Sequence, residues 1–292
     1  MSSLRLASPC KINLILNILG RRTDGFHELE TIFQPVPICD ELHFQTTPAG
    51  VQLTCSNPEL PVDSRNLVHR AASAFFAAHP GAAHGVQIHL VKHLPLAAGL
   101  GGGSANAAIT LRGLNELFGK PLAAEKLQEL AARLGSDVPF FLQDNPALAT
   151  GRGELVQPLP PFPALKNAGL LLVHPGFGVS TPWAYQQLAK HPNALNGQPG
   201  RAAALADVLQ TGTLSAVAPL LYNSLEAPAF VKYPLLPLIK DFFLANGAVA
   251  ALMSGSGSTL FALAPNIGAA QSLDLQYRQR FGPAGWSCTA LL

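Results

Sequence analysis

An α+β chain of two domains is the fold class this sequence predicts, on three observations. Strand-like and helix-like segments alternate through both halves without the regular beat of a barrel. A Pro-rich stretch at 158–163 separates the halves and gives residues 1–157 and 158–292 as the expected domains. Each half also carries a glycine-rich loop beside a strand, at 95–108 and at 254–259.

The composition supports a sizeable core and a modestly charged surface. Of 292 residues, 48% are hydrophobic and 12% charged, and the net charge is +2. No Lys/Arg block exists, which argues against nucleic acid as a partner. No apolar run reaches the roughly 18 residues of a membrane span. The N-terminus moves straight into a strand pattern without a signal segment, so a cytoplasmic protein is expected. The cysteines (Cys10, Cys39, Cys55, Cys288) form no C-x-x-C pair and point to neither zinc nor a disulfide framework.

The first strand is expected over 4–17, with Lys11 and Asn13 alternating with Ile12 and Leu14. A lysine in an apolar strand reads either as an exposed edge residue or as a functional cation. A polar turn at 20–27 follows, with Asp24-Gly25 suited to a hairpin and Phe26 and His27 at its exit, an aromatic and an imidazole able to stack on a flat base. The strand at 28–33 leads into further strands over 35–55, broken by Pro and Gly. Asn66 opens a helix that stops near 79–81. The alternation of 86–91 predicts a strand.

The glycine loop comes next: Pro95, Leu96, Ala97, Ala98, Gly99, Leu100, Gly101, Gly102, Gly103, Ser104, Ala105. Ser104 is an N-cap type residue, and a helix is expected from it to Phe118. Strand, glycine loop and helix start present bare N–H groups at the positive end of a helix dipole, a site suited to polyphosphate. The lookalikes fail, since no Lys follows Gly103 and Ser104 stands where a dinucleotide fingerprint needs glycine. The bland alternative is a flexible turn.

A second helix is expected over 122–134 with Gly135 at its end. Asp137 then sits in a tight turn before Pro139, Phe140 and Phe141, either as a carboxylate held against an apolar wall or as an Asx-turn acid. The second half restarts with a buried strand at 169–173 and a helix begun by Ser180, with Pro182 just inside it. The stretch 191–200 reads as a polar loop, and helices are expected near 201–210 and 234–245. A strand at 248–253 runs into the loop 254–259 and a further strand at 260–263. That loop lacks the G-x-S-x-G of a hydrolase elbow and reads either as a glycine hairpin or as a backbone-first ligand contact. A helix (268–281) and a strand (286–291) close the chain.

Together, the Lys-bearing first strand, the Pro-x-x-x-Gly-Leu-Gly-x-Gly-Ser loop at 95–104 and the Ser-Gly-Ser-Gly-Ser loop at 254–258 resemble the superfamily of galactokinase, homoserine kinase, mevalonate kinase and phosphomevalonate kinase. Within it, the turn Arg22-Thr-Asp-Gly-Phe-His27 resembles the branch that phosphorylates a cytidine-diphosphate-linked methylerythritol on its 2-hydroxyl in the non-mevalonate isoprenoid pathway. The resemblance implies an N-terminal domain like ribosomal protein S5 domain 2, a ferredoxin-like C-terminal domain and an active site between them. It implies ATP as co-substrate with Mg²⁺, and no metal site built from the protein alone. It implies that 95–105 binds ATP, that Asp137 is the general base, and that Lys11, close to Asp137, stabilises charge. It assigns Asn13, Phe26, His27 and Tyr185 to a substrate with a cytidine diphosphate group, His27 and Phe26 stacking on cytosine and Tyr185 covering its other face. Relatives often carry glycine at Ala97 and Ala98, Tyr at Phe26 and Asp at Ser224, so 222–226 receives no role. Sister kinases of the superfamily share the loop but lack the Asp-Gly-Phe-His turn.

Overall fold

Cys10 to Ile18 form an unbroken buried run in the first strand, β1 (Ser3–Arg21), because apolar side chains stand on both sides of it. This computed structural model describes residues 2–79, 85–195 and 197–292. The second strand, β2 (His27–Thr47), continues through Pro35 and Pro37, where the sequence predicts breaks. Both prolines lie between its paired stretches, Thr31 to Phe33 and Glu41 to Thr47, where these ladders need no N–H from them.

The chain forms two compact units of interleaved segments. The first comprises Met1–Cys10, Pro37–Leu94 and Gly101–Asp144, and the second Lys11–Val36, Pro95–Leu100 and Asn145–Leu292. In the first unit, β3 (Val51–Cys55) runs into α1 (Leu67–Ala78), β4 (Gly85–Val91), α2 (Gly102–Leu117) and α3 (Ala124–Leu134). β4 pairs antiparallel with β2 and parallel with β3. Asn66 caps α1 as predicted, its Oδ1 accepting from the Val68 N–H at 2.9 Å. Helix α1 ends at Ala78; the rest of its predicted stop, 80–81, lies outside the described residues. Val68, Ala71 and Phe75 of α1 and Ala107, Leu111 and Leu114 of α2 are fully buried, the helical spacing the core requires.

One buried charge pair organises this unit. The Asp40 carboxylate is fully buried and takes the Lys92 ammonium, the His93 and Leu94 N–H groups at 2.8 and 2.9 Å, and Asn106 Nδ2 at 3.0 Å. Each acceptor site of the carboxylate is used, so its desolvation is offset locally.

In the second unit, β5 (Ala147–Thr150) pairs with β2 and with β6 (Leu155–Pro158). The chain continues through β7 (Gly169–His174), α4 (Thr181–Gln187), α5 (Pro192–Leu195), α6 (Arg201–Thr211), α7 (Leu214–Val217), β8 (Tyr222–Asn223), α8 (Glu226–Lys232), α9 (Leu235–Ala245), β9 (Ala250–Met253), β10 (Leu260–Ala264), α10 (Ile267–Phe281) and β11 (Trp286–Leu291). An antiparallel sheet runs in the order β11-β7-β10-β9. Leu171 and Val173 of β7 and Leu260 and Ala262 of β10 share a core with Ile239 and Phe243 of α9 and Tyr277 of α10. The α+β class expected is the one observed. The predicted loop at 191–200 contains the short helix α5; Asn196 lies outside the described residues. His191 caps that turn by backbone alone, accepting from Ala194 and Leu195, a signal that side-chain patterning does not carry.

Replacing Asp40 with Ala strands the Lys92 ammonium and two backbone N–H groups in the interior. We expect a loss of about 3–5 kcal/mol in urea unfolding; a loss below about 1 kcal/mol would contradict the network's role.

Candidate active site

The glycine loop enters α2 two residues earlier than Ser104 predicts. Gly101 takes a left-handed φ of 71° and caps the helix with no side-chain hydrogen bond, so Ser104 lies inside the first turn. Only glycine adopts that φ cheaply, and this lets the chain turn into the helix at Gly102. Gly101 has no side chain with which to cap the first-turn N–H groups of this 16-residue helix, and a helix start of that kind suits an anion. Ala97 also has a positive φ, 50°, a conformation that suits glycine and costs an alanine about 1 kcal/mol.

Lys11 and Asn13, on β1, are 3% and 2% exposed, so the exposed-edge reading of Lys11 is wrong. An isolated ammonium would not be buried, and this one is not isolated. Its Nζ donates to Asn13 Oδ1 at 2.6 Å and to the Gly99 carbonyl at 3.2 Å, and lies 5.2 Å from the centre of the Phe33 ring. Asn13 is held in turn, its Nδ2 donating to Thr31 Oγ1 at 2.9 Å. Lys11, Asn13 and the 95–100 part of the glycine loop therefore belong to one arrangement in the second unit.

Phe26, His27 and Tyr185 lie in the same unit. The turn between β1 and β2 is an Asx turn, with Phe26 N–H donating to Asp24 Oδ1 at 3.1 Å and Gly25 at φ 87°. The His27 and Tyr185 rings touch, with centroids 5.1 Å apart and planes tilted by 41°. Phe26 is half exposed and carries the Arg152 guanidinium 4.5 Å above its ring. Sequence reasoning missed Arg152; the signal was a lone cation between Gly151 and Gly153. Burial, helped by the positive charge of Arg21, pushes His27 below the ordinary imidazole range, so it is neutral at pH 7.

Asp137 belongs to the first unit. It lies in a turn closed by Val138 N–H on the Gly135 carbonyl at 3.2 Å and is followed by buried Val138, Pro139, Phe140 and Phe141. Gly135 ends α3 as predicted, with an extended φ of 171°. Tyr222 and Asn223, left without a role by the sequence, form β8 and pair in parallel with Ile15 and Leu16 of β1. Ser224 is fully buried, its N–H donating to Leu16 O at 2.9 Å and its Oγ accepting from Ile18 N at 3.0 Å. Burial pushes the Glu226 carboxyl up, against the pull of Lys240 at 2.7 Å and the Met253 N–H at 2.9 Å.

The family model for the N-terminal domain of GHMP kinases matches residues 66–145, and that for the GHMP kinase C-terminal region matches 204–281. A solved homoserine kinase from Cytophaga hutchinsonii superposes with a TM-score of 0.76 at 20% identity, covering 99% of this chain and 94% of that one, a likeness of fold. The chain belongs to the GHMP kinase family. A Synechococcus sp. (strain JA-2-3B'a(2-13)) 4-diphosphocytidyl-2-C-methyl-D-erythritol kinase is 42% identical over 287 residues, 96% of this chain and 91% of its own length. A solved 4-(cytidine 5'-diphospho)-2C-methyl-D-erythritol kinase superposes with a TM-score of 0.78 at 32% identity, covering 98% of both chains. Within the family, this chain falls in the branch of the 4-diphosphocytidyl-2-C-methyl-D-erythritol kinases, the branch its turn at 22–27 resembles.

A histidine whose folded value is lowered contributes stability that is complete above its unfolded value of about 6.5 and is lost as pH falls through the folded value. By NMR, His27 should titrate below that ordinary value, and Arg21→Gln should move its midpoint up. A midpoint at or above the ordinary value in the wild type would contradict this.

Proposed function

We propose that this protein transfers the γ-phosphoryl group of ATP to the 2-hydroxyl of 4-diphosphocytidyl-2-C-methyl-D-erythritol, giving the 2-phosphate and ADP. The observation that carries the reading is the buried Lys11 ammonium held at the Gly99 carbonyl, a cation beside a loop that leads into a helix start without a side-chain cap. Identity of 42% and 32% to kinases of that name, over 96% and 98% of this chain, supports the substrate.

Phosphoryl transfer asks mainly for positioning and charge neutralisation. The backbone of 95–105 cradles the phosphates of ATP, and Lys11 offsets negative charge on the transferring group. Asp137 takes the proton from the 2-hydroxyl as the oxygen attacks phosphorus. Asn13, beside Lys11, orients the substrate. Mg²⁺ supplies further charge neutralisation when bound. The Ser104 hydroxyl, in the first turn of α2, would be the residue that holds it.

The cytosine ring inserts between His27 and Tyr185, beside Phe26. The rings part from 5.1 Å to roughly 7 Å, two contact distances of about 3.5 Å, to admit it. A neutral His27 keeps both a donor and an acceptor for the base. The family models flank the stretch 158–163, which supports reading 1–157 as the ATP-binding part and 158–292 as the C-terminal part. No helix among the described residues is long and apolar enough to cross a membrane, and we assign the protein to the cytoplasm.

ADP release measured with ATP and Mg²⁺ should require the cytidylyl substrate and fail with mevalonate or homoserine; turnover on either sister substrate would overturn the assignment. His27→Ala should raise KM for the cytidylyl substrate about tenfold or more, given stacking worth roughly 1–3 kcal/mol, and leave KM for ATP near its wild-type value. Equal shifts in both constants would remove the cytosine role. Asp137→Asn should lower kcat by about 10²–10⁴ while ATP binding by calorimetry is preserved; a wild-type kcat would exclude Asp137 as the base.

A further inference from the structure

We propose that Ser254 and Asn223 are positioning residues for the Lys11 ammonium, a proposal that rests on the catalytic reading of Lys11. The Gly99 carbonyl oxygen accepts twice, from Lys11 Nζ at 3.2 Å and from Ser254 Oγ at 3.0 Å. Two donors on one oxygen occupy both lone pairs and fix where each donor can stand. Backbone contact holds the same point. A Cβ on Gly99 would lie 2.1 Å from the Ser254 carbonyl oxygen, and Thr259 N–H donates to Ala98 O at 3.2 Å.

Asn223 clamps the loop that presents Ser254. Its Nδ2 donates to the carbonyls on either side of that serine, Met253 O at 2.7 Å and Gly255 O at 2.8 Å. Its Oδ1 accepts from Leu225 N at 2.9 Å, so the whole amide is used at 3% exposure. Asn223 pairs in β8 opposite Leu16 of β1, the strand that carries Lys11. The chain of contacts thus closes on itself, from Lys11 to Gly99, to Ser254, to Asn223 and back to β1. A lysine has four rotatable side-chain bonds, and such a ring holds its tip where the transferring phosphoryl group needs it.

Ser254→Ala removes one hydroxyl and little else. We expect kcat to fall about tenfold with KM for both substrates within about twofold of wild type. In a Lys11→Met background the same change should alter the residual rate by less than about twofold. A full tenfold loss in that background, or a rise in KM in place of the fall in kcat, overturns the proposal. Exchange of the Lys11 ammonium protons, read by ¹⁵N NMR, tests the positioning without turnover. It should quicken about tenfold in Ser254→Ala, and unchanged exchange overturns the proposal. Wild-type turnover in Lys11→Met would instead defeat the catalytic reading of Lys11, and the exchange measurement would still decide the positioning. Asn223→Asp keeps the acceptor for Leu225 but faces a carboxylate to two carbonyls; it should give the same pattern with a loss of about 100-fold. If that variant does not fold, Ser254→Ala decides.

Discussion

Two stretches of bare backbone pass each other at Gly99 and Ser254 at a separation that admits no side chain. The chemistry proposed for the second unit depends on that crossing. It lets a carbonyl in the first glycine loop receive a hydroxyl from the second, and it puts that carbonyl where Lys11 can reach it. Glycine at 99, 255 and 257 has a positive φ as well as a crowded neighbourhood, so both steric arguments favour the same residue. The loops are glycine-rich where they meet because the close approach leaves no room for a Cβ.

Both units bury a lysine, and each does so by the same physics. Lys92 is paired with Asp40 and Asn106, and Lys11 with Asn13, a carbonyl and an aromatic face. The two sites differ in the groups that hold the ammonium. Lys92 has a carboxylate on it, so its charge is cancelled inside the first unit. Lys11 donates to a side-chain amide and to a backbone carbonyl of the glycine loop, which ties its position to that loop.

Much of this was legible in the sequence, and the failures have physical causes. Asn66 before an apolar-periodic run, the continuous Leu170–Val173 core of β7 and the alternation of 86–91 are local patterns, and the structure repeats them. Pro35 and Pro37 misled because proline breaks a strand only where its N–H is needed, and the pairing partner that decides this comes from distant segments. Ser104 misled because capping preference is statistical, whereas a left-handed Gly101 can start the helix by itself. Lys11 was visible as an oddity but its burial was not, since its partner Gly99 is 88 residues away. Asn223 had no sequence signal beyond its place in a short stretch between helices, because its function is to satisfy carbonyls that belong to another segment.

Trp183 stands two residues before Tyr185 on the short helix α4, with the Lys232 ammonium 4.1 Å from its ring and Tyr233 set edge-on at 6.1 Å. The chain has one other tryptophan, Trp286 at the start of β11. An indole beside a positive charge emits according to the field it feels, and a shift of α4 of the kind proposed to part Tyr185 from His27 would change that field. The protein thus carries its own optical gauge of the His27 and Tyr185 rings, built into the helix that holds one of them.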